Sequence, residues 1–183
     1  MVLAGGAGRR LGGAKATVRL GERPLLAHPR DALREALGEV VVVAKATTAL
    51  PSPVGAELWR EPDAPVHPLA GIAWALRRAS GRAVVVCALD LPFVPVALLR
   101  ALATDSPEAD AVIAAGQPLL GRYGPALEGA LSAAVAAGRP ARAAVAELGP
   151  VELAVDDPER VLFNVNTPQD LARAEVILAG RQA

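Results

Sequence analysis

The stretch "LAGGAGRRLGGAK", Leu3 to Lys15, stands almost at the start of the chain. Five of its thirteen residues are glycine and three are cations. We interpret Met1 to Ala4 as a short buried strand that runs into this loop. Glycine lets backbone N–H groups approach phosphate oxygens closely because it has no side chain. The stretch therefore predicts a phosphate-binding loop directly after a strand.

Two familiar phosphate loops do not match the spacing. A dinucleotide-binding loop has the pattern G-x-G-x-x-G, and here Gly6, Gly8 and Leu11 occupy the three glycine positions. A Walker loop has a lysine followed by a hydroxyl residue directly after its last glycine, whereas alanine stands on both sides of Lys15. Neither a dinucleotide fold nor a P-loop is indicated.

The remaining design is a longer loop that ends in a lysine. Backbone N–H groups of residues 5–7 would approach the phosphates, and Arg10 and Lys15 would supply positive charge. We expect the Lys15 ammonium to be exposed when the site is empty. A tight turn with solvated cations is the alternative that the loop alone leaves open.

Strand and helix patterns alternate along the rest of the chain. β-Branched runs predict buried strands, and leucine and alanine stripes at helical spacing predict helices. The predicted strands cover residues 1–4, 39–44, 57–60, 83–89, 109–114, 119–123, 151–155 and 161–165, and the predicted helices cover 24–37, 68–79, 94–104, 125–137, 141–148 and a last segment capped by Thr167. This order predicts a single α/β domain over 1–183, with a mostly parallel central sheet and helices on both faces. Ligands of such sheets lie beyond the carboxyl ends of the strands, so the glycine loop and Asp90 are expected at the same edge.

Composition narrows the classes of function. The chain has 183 residues, and 19 Lys and Arg balance 19 Asp and Glu, so we expect no broad basic surface for nucleic acid. Cys87 is the single cysteine and lies in a buried run, and His28 and His67 are the two histidines, which is too few for a zinc site. No apolar run reaches the roughly 20 residues of a membrane span, and no signal peptide is recognisable. We expect a cytoplasmic protein without membrane contact.

Four further stretches follow the loop in order. They are "RPLLAH" at 23–28, "HPLAGI" at 67–72, "CALDLPFVP" at 87–95 and "FNVNTPQDL" at 163–171. Together with the loop they resemble the molybdenum cofactor guanylyltransferases, and the resemblance spans nearly the whole chain. The loop alone marks the wider nucleotidyltransferase superfamily, whereas the "PLAG", "DLPF" and "NVNTP" set is more specific.

The resemblance implies both a fold and a reaction. The fold is a three-layer, Rossmann-like nucleotidyltransferase fold. The reaction transfers GMP from GTP to the terminal phosphate of molybdenum-molybdopterin, with Mg²⁺ as cofactor and pyrophosphate as second product. It further implies transient contact with other proteins of molybdenum cofactor synthesis or with acceptor proteins, and neither nucleic acid nor membrane as a partner.

The resemblance also implies roles for individual residues. Asp90 would hold the Mg²⁺, which takes one or two carboxylates together with substrate phosphates, and Arg10, Lys15 and Asp90 would be the catalytic residues. Asn164 and Asn166, on one face of the predicted strand 161–165, would lie near the metal and the acceptor. The implied nucleotide-binding residues are Leu3, Ala4, Gly5, Gly6, Lys15, Lys45, Asp63, Gly71 and Asp90.

Several positions leave alternatives open. Ala14 stands where relatives have an acid, and Lys45 stands where relatives have an asparagine near the base or ribose. The segment before "HPLAG" is shorter than in relatives, so either Asp63 or Glu61 could be the nucleotide-contacting acid. A CTP-dependent cofactor cytidylyltransferase, a sugar-1-phosphate nucleotidyltransferase and a nucleotide-binding paralogue without catalysis therefore remain alternatives.

The candidate metal ligand has a structural alternative as well. Asp90 could cap the helix near Val94, and the two asparagines could belong to a turn before the last helix. If Asp90 ligates Mg²⁺, its carboxylate faces other acceptors when the ion is absent, so Asp90→Asn is expected to leave the stability of the empty protein unchanged or raised.

Overall fold

The computed structural model describes residues 1–5, 9–11 and 15–180. The strands are β1 (Val2–Leu3), β2 (Arg19–Leu20), β3 (Arg23–Pro24), β4 (Val41–Lys45), β5 (Glu57–Glu61), β6 (Val84–Ala88), β7 (Ala111–Ala114), β8 (Gln117–Tyr123) and β9 (Val151–Leu153). Seven of them form one sheet in the order β5-β4-β1-β6-β8-β7-β9, and β2 and β3 form a separate hairpin. Within the described sheet, β8 alone runs against its neighbours, and the other strands share one direction.

Helices connect and cover these strands. They are α1 (Ala27–Leu37), α2 (Pro68–Arg78), α3 (Val96–Thr104), α4 (Glu128–Ala136), α5 (Ala141–Ala146), α6 (Pro158–Val161) and α7 (Pro168–Ala179), with 3-10 turns at Arg9–Leu11, Lys15–Thr17 and Pro125–Leu127. No helix in the described ranges has the length and apolar composition needed to cross a membrane.

Two hydrophobic cores lie on opposite faces of the sheet. In β4, Val42 and Ala44 pack with residues of α1, α3 and α7, whereas Val41 and Val43 pack with residues of α2, α4 and α5. This division follows from the alternation of side chains along a strand. The mostly parallel sheet with helices on both faces is confirmed.

One predicted strand is wrong. Val161 ends α6, and residues 162–166 form an irregular segment before α7. Val165 is nevertheless fully buried, and its N–H donates to the carbonyl of Asp90 at 3.0 Å. The apolar alternation that predicted a strand therefore belongs to a segment that packs against the turn after β6 without joining the sheet.

The first helix begins later than the sequence predicts. Pro24 lies in β3 of the hairpin, and α1 begins at Ala27, so that Pro29 falls in its first turn. Proline is tolerated there because the first N–H groups of a helix have no partner within the helix. The hairpin itself was not predicted, since two-residue strands are too short to show periodicity.

Candidate functional site

A pocket of about 170 Å³ lies at the carboxyl edge of the sheet. Four parallel strands each contribute their last residue to its wall: Leu3, Lys45, Glu61 and Ala88. Asp90, two positions beyond β6, also lines it. The expectation that the end of the glycine loop and Asp90 meet at one edge is confirmed, since Lys15 and Asp90 are in contact there.

Lys15 connects three distant segments of the chain. Its Nζ donates to Oδ2 of Asp90 at 2.9 Å and to Oδ1 of Asn166 at 2.7 Å. The expectation of an exposed lysine is wrong, because Lys15 is 8% exposed and forms an ion pair. An ammonium has three N–H donors, so one donor remains beyond these two contacts among the residues that the structure describes.

The backbone around Asp90 and Asn166 fixes this arrangement. The carbonyl of Asp90 accepts from Val165, next to Asn166. A capping box of Thr167 and Asp170 starts α7, and the same Asp170 carboxylate accepts the N–H of Asn166 at 3.1 Å. The predicted cap is confirmed, and it also holds Asn166 in place. Asp90 does not cap α3, whose N-cap is Pro95.

Other predicted residues lie apart from this contact. The side chain of Asn164 donates to the carbonyl of Leu162 at 2.8 Å, so its amide turns back onto its own segment. Arg10 is exposed in the first 3-10 turn. Among the described contacts, neither Asn164 nor Arg10 is joined to Lys15 or Asp90. Gly6 lies outside the described residues.

A second ion pair lies in the same pocket. Lys45 and Glu61 are register partners at the ends of β4 and β5, and Nζ lies 3.3 Å from Oε2 of Glu61. Both residues are buried, at 7% and 4% exposure. Burial raises the pKa of Glu61, and the charge of Lys45 opposes that rise.

Of the two candidate acids, Glu61 lines the pocket and Asp63 does not. Oδ1 of Asp63 accepts from the backbone N–H of Thr47 at 3.1 Å and from its hydroxyl at 2.9 Å, in an exposed loop. These hydrogen bonds lower the pKa of Asp63. The structure thus places Glu61, the last residue of β5, in the wall of the pocket, where it would face a bound ligand.

Two glycines make room for the Glu61 carboxylate. A Cβ on Gly5 would lie 2.8 Å from Oε1 of Glu61, and a Cβ on Gly71 would lie 3.3 Å from the same oxygen and would collide with Leu3. The backbone of Gly71 therefore lies close to β1 and to the Glu61 side chain. Ala4 directly follows β1, and its N–H donates to the carbonyl of Val43 at 2.8 Å.

His67 is a pocket residue that the sequence analysis did not assign. It is the N-cap of α2, where its Nδ1 accepts from Leu69 at 3.2 Å, and its Nε2 contacts the carbonyl of Arg139 at 2.8 Å. The ring therefore joins the start of α2 to the connection between α4 and α5. A polar residue directly before the proline of "HPLAG" is the sequence signal that predicts such a cap.

Comparison with known proteins gives one consistent family. Residues 1–153 match the model of the MobA-like NTP transferase domain. The chain is 35% identical to the molybdenum cofactor guanylyltransferase of Cereibacter sphaeroides, covering 97% of this chain and 95% of that one. It is 33% identical to the enzyme of the same name from Pseudomonas syringae pv. syringae, with 92% and 88% coverage.

Solved structures agree with the sequence relatives. The molybdopterin-guanine dinucleotide biosynthesis protein A of Archaeoglobus fulgidus matches with a TM-score of 0.77 and 30% identity, over 98% of this chain and 97% of that one. The 2-C-methyl-D-erythritol 4-phosphate cytidylyltransferase of Thermus thermophilus shares the fold, with a TM-score of 0.72 and 24% identity over 97% and 98% of the two chains. Fold and site together define a nucleotidyltransferase. The chain belongs to the MobA-like NTP transferase family, among the molybdenum cofactor guanylyltransferases.

Proposed function

We propose that this chain transfers GMP from GTP to the terminal phosphate of molybdenum-molybdopterin, which gives the guanine dinucleotide form of the molybdenum cofactor and pyrophosphate. The observation that carries the proposal is the contact of Lys15 with both Asp90 and Asn166 at the carboxyl edge of the sheet. These residues come from three of the five stretches that carry the resemblance: the loop, "CALDLPFVP" and "FNVNTPQDL". The names of the relatives support GTP and molybdopterin as the substrates.

The reaction brings two anions together. An oxygen of the acceptor phosphate attacks the α-phosphorus of GTP, the bond from that phosphorus to the α–β bridging oxygen breaks, and pyrophosphate leaves with the electron pair. The attacking phosphate is already ionised, so no general base is required. Catalysis then consists of positioning and charge neutralisation.

Lys15 is suited to this task. The donor that remains beyond Asp90 and Asn166 can bind a phosphate oxygen, and charge developing on the leaving pyrophosphate would strengthen that bond. Arg10, exposed at the start of the same segment, would add positive charge at the phosphates. The backbone of Gly5, which lines the pocket, would pack against the nucleotide.

Mg²⁺ is the cofactor of the proposed reaction. Asp90 supplies a carboxylate whose side chain is 22% exposed, and the amide oxygen of Asn166 shares its lysine partner. Within the described residues, no cluster of three or more His, Cys, Asp or Glu could hold a metal. Asp90 and Asn166 provide one carboxylate and one amide oxygen. These donors fit Mg²⁺, which binds one or two carboxylates and takes substrate phosphates as further ligands. Once bound at Asp90, the ion would supply positive charge to the phosphates.

The test is product formation from purified components. The protein is incubated with Mg²⁺, molybdenum-molybdopterin and one of GTP, CTP, ATP or UTP, and pyrophosphate and the dinucleotide are measured. We expect pyrophosphate release that requires both substrates and is fastest with GTP. Faster release with CTP would favour a cytidylyltransferase, and nucleotide binding without release would favour a non-catalytic paralogue.

The cellular setting follows from the same proposal. We expect the transfer to take place in the cytoplasm, and we expect the product to pass to acceptor proteins through transient contacts. Co-purification of the chain with other proteins of molybdenum cofactor synthesis would support such contacts.

A further inference from the structure

The ammonium of Lys45 is directed into the protein. Besides Glu61, its Nζ donates to the carbonyl of Pro62 at 3.0 Å and to the carbonyl of Pro65 at 2.9 Å. An ammonium has three N–H donors: two go to these carbonyls, and the ion pair with the Glu61 carboxylate occupies the remaining side. Lys45 therefore has no donor left for a nucleotide, although the sequence predicts it as a nucleotide-binding residue.

The same contacts connect Lys45 to the wall of the pocket. Pro62 and Pro65 belong to the connection between β5 and α2, and Val66 and His67, directly after it, line the pocket. Lys45 thus holds this connection against the ends of β4 and β5. Removing its charge would release the connection and leave Glu61 without its partner.

Glu61 is the acid that remains available to a ligand. Its Oε2 is the oxygen near Lys45, whereas Oε1 lies beside Gly5 and Gly71. Two cations line the pocket, and among the contacts of the described residues Lys15 has a donor beyond Asp90 and Asn166, whereas Lys45 does not. Phosphates are therefore directed to Lys15, since a carboxylate repels them. The base end of a nucleotide is directed to Glu61.

From these contacts we propose that Lys45 is a positioning residue for base selection, which binds no nucleotide atom and holds the Glu61 carboxylate where it accepts N–H groups of the guanine edge. The inference rests on the proposed use of GTP. Guanine carries two adjacent donors, N1–H and the 2-amino group, which a carboxylate accepts in a bidentate manner. Inosine lacks the 2-amino group, and each of the other bases offers at most one of these two donors.

The discriminating ligand is therefore inosine triphosphate (ITP). It retains the ring system, the N1–H and the triphosphate of GTP and lacks one N–H donor. A hydrogen bond to a charged acceptor changes affinity on the order of tenfold to a hundredfold. Wild type should bind GTP more tightly than ITP by about this factor, and Glu61→Gln should reduce the preference to about twofold or less.

Lys45→Met tests the positioning role. Without Lys45, burial raises the pKa of Glu61 further, because the opposing charge is gone. The protonated fraction of the carboxyl group near neutral pH is then larger than in wild type, and it falls as the pH rises. The preference for GTP over ITP should therefore be weaker in Lys45→Met than in wild type near neutral pH and should increase at higher pH, with kcat little changed.

Controls separate this effect from the other charges of the pocket. Lys15, Asp90 and His67 also line it, and they are present in every variant, so the difference between Lys45→Met and wild type isolates Glu61.

The double variant Lys45→Met with Glu61→Gln removes both buried charges and guards against misfolding. Its ratio of GTP to ITP affinity should be independent of pH, and its affinity for GTP should be no weaker than that of Lys45→Met. Arg82→Met, which removes an exposed ion pair with Glu39 before β4 and β6 begin, should behave as wild type.

The measurements are equilibrium binding of GTP and ITP from about pH 6 to about pH 9, a range that covers neutral pH and a raised carboxyl pKa, together with KM and kcat for pyrophosphate release. An equal loss of GTP and ITP affinity in Lys45→Met, independent of pH, would overturn the proposal because it indicates a direct nucleotide contact. A wild-type preference that survives in Glu61→Gln would overturn it as well. Failure of wild type to release pyrophosphate with the molybdenum cofactor would instead contradict the proposed function, whatever the binding pattern.

Discussion

In the ligand-free site, the charges of Lys15 and Asp90 are paired with each other. Both residues were predicted as site residues, but as a free cation and an isolated carboxylate. The 2.9 Å ion pair corrects that expectation. The pairing depends on the position of the loop end relative to the turn after β6, which sequence spacing does not specify. In the proposed reaction, a phosphate would therefore bind to an ammonium that Asp90 and Asn166 already hold in place.

Lys15→Met should weaken both folding and catalysis. It leaves the Asp90 carboxylate and the Asn166 amide without their shared donor, and loss of such a partner costs about 1–3 kcal/mol. Because Asp90 is partly exposed, we expect a loss at the lower end of this range by denaturant unfolding. GTP affinity and pyrophosphate release should both fall, whereas Arg82→Met at the opposite edge should change neither. Wild-type GTP affinity in Lys15→Met would exclude a phosphate contact.

At the scale of elements, the cap of α7 sets the position of a site residue. Asp170 accepts the N–H groups of both Asn166 and Thr167, at 3.1 and 2.9 Å. Asp170→Ala should lower the free energy of unfolding by about 1 kcal/mol, as is typical of a lost cap. It should also slow pyrophosphate release a few-fold, since Asn166 is no longer fixed beside Lys15.

A conservative variant distinguishes the two effects of this cap. Glutamate is the usual acid at this position of a capping box, so Asp170→Glu should restore most of the stability and the rate. If Asp170→Ala loses stability and retains full turnover at saturating substrates, the cap is structural only and Asn166 does not depend on it.

For the molecule as a whole, the sequence predicts best those strands and helices that have a strong hydrophobic pattern. The buried runs of β4 and β6 and the apolar stripe of α2 gave the elements, and the order of strands and helices gave the parallel sheet. The strand predicted over 161–165 failed because apolar alternation marks burial, and Val165 is buried by a turn outside the sheet. A local sequence pattern does not distinguish burial within a sheet from burial against a turn outside it.

The site was predictable to a similar extent. Motif residues that follow strands were placed at the correct edge, because parallel topology collects strand ends. The direction of side chains was not predictable. Lys45 turns into the protein because the carbonyls of Pro62 and Pro65 lie within its reach, and only the folded connection between β5 and α2 provides them.

Cys87 reports on the integrity of the whole fold. It is fully buried in β6, and this burial raises its pKa to about 12. Because the thiolate is the reactive form, alkylation by iodoacetamide should be very slow in the native protein and should accelerate with denaturant in parallel with global unfolding. Mass spectrometry measures the labelled fraction. Rapid labelling of the native protein would indicate that β6 opens locally.

Metal binding by Asp90 at the site of nucleotidyl transfer is the proposed role on which the mechanism depends. Its most direct test is pyrophosphate release from GTP and molybdenum-molybdopterin across a Mg²⁺ series, for wild type, Asp90→Asn and the exposed control Asp105→Asn, with Tm measured without ligand. Asp90→Asn keeps an acceptor for Lys15 but loses the charge, so Tm should fall slightly and activity should fall by orders of magnitude, most severely at limiting Mg²⁺. The control should match wild type. Wild-type activity of Asp90→Asn at limiting Mg²⁺ would contradict the account.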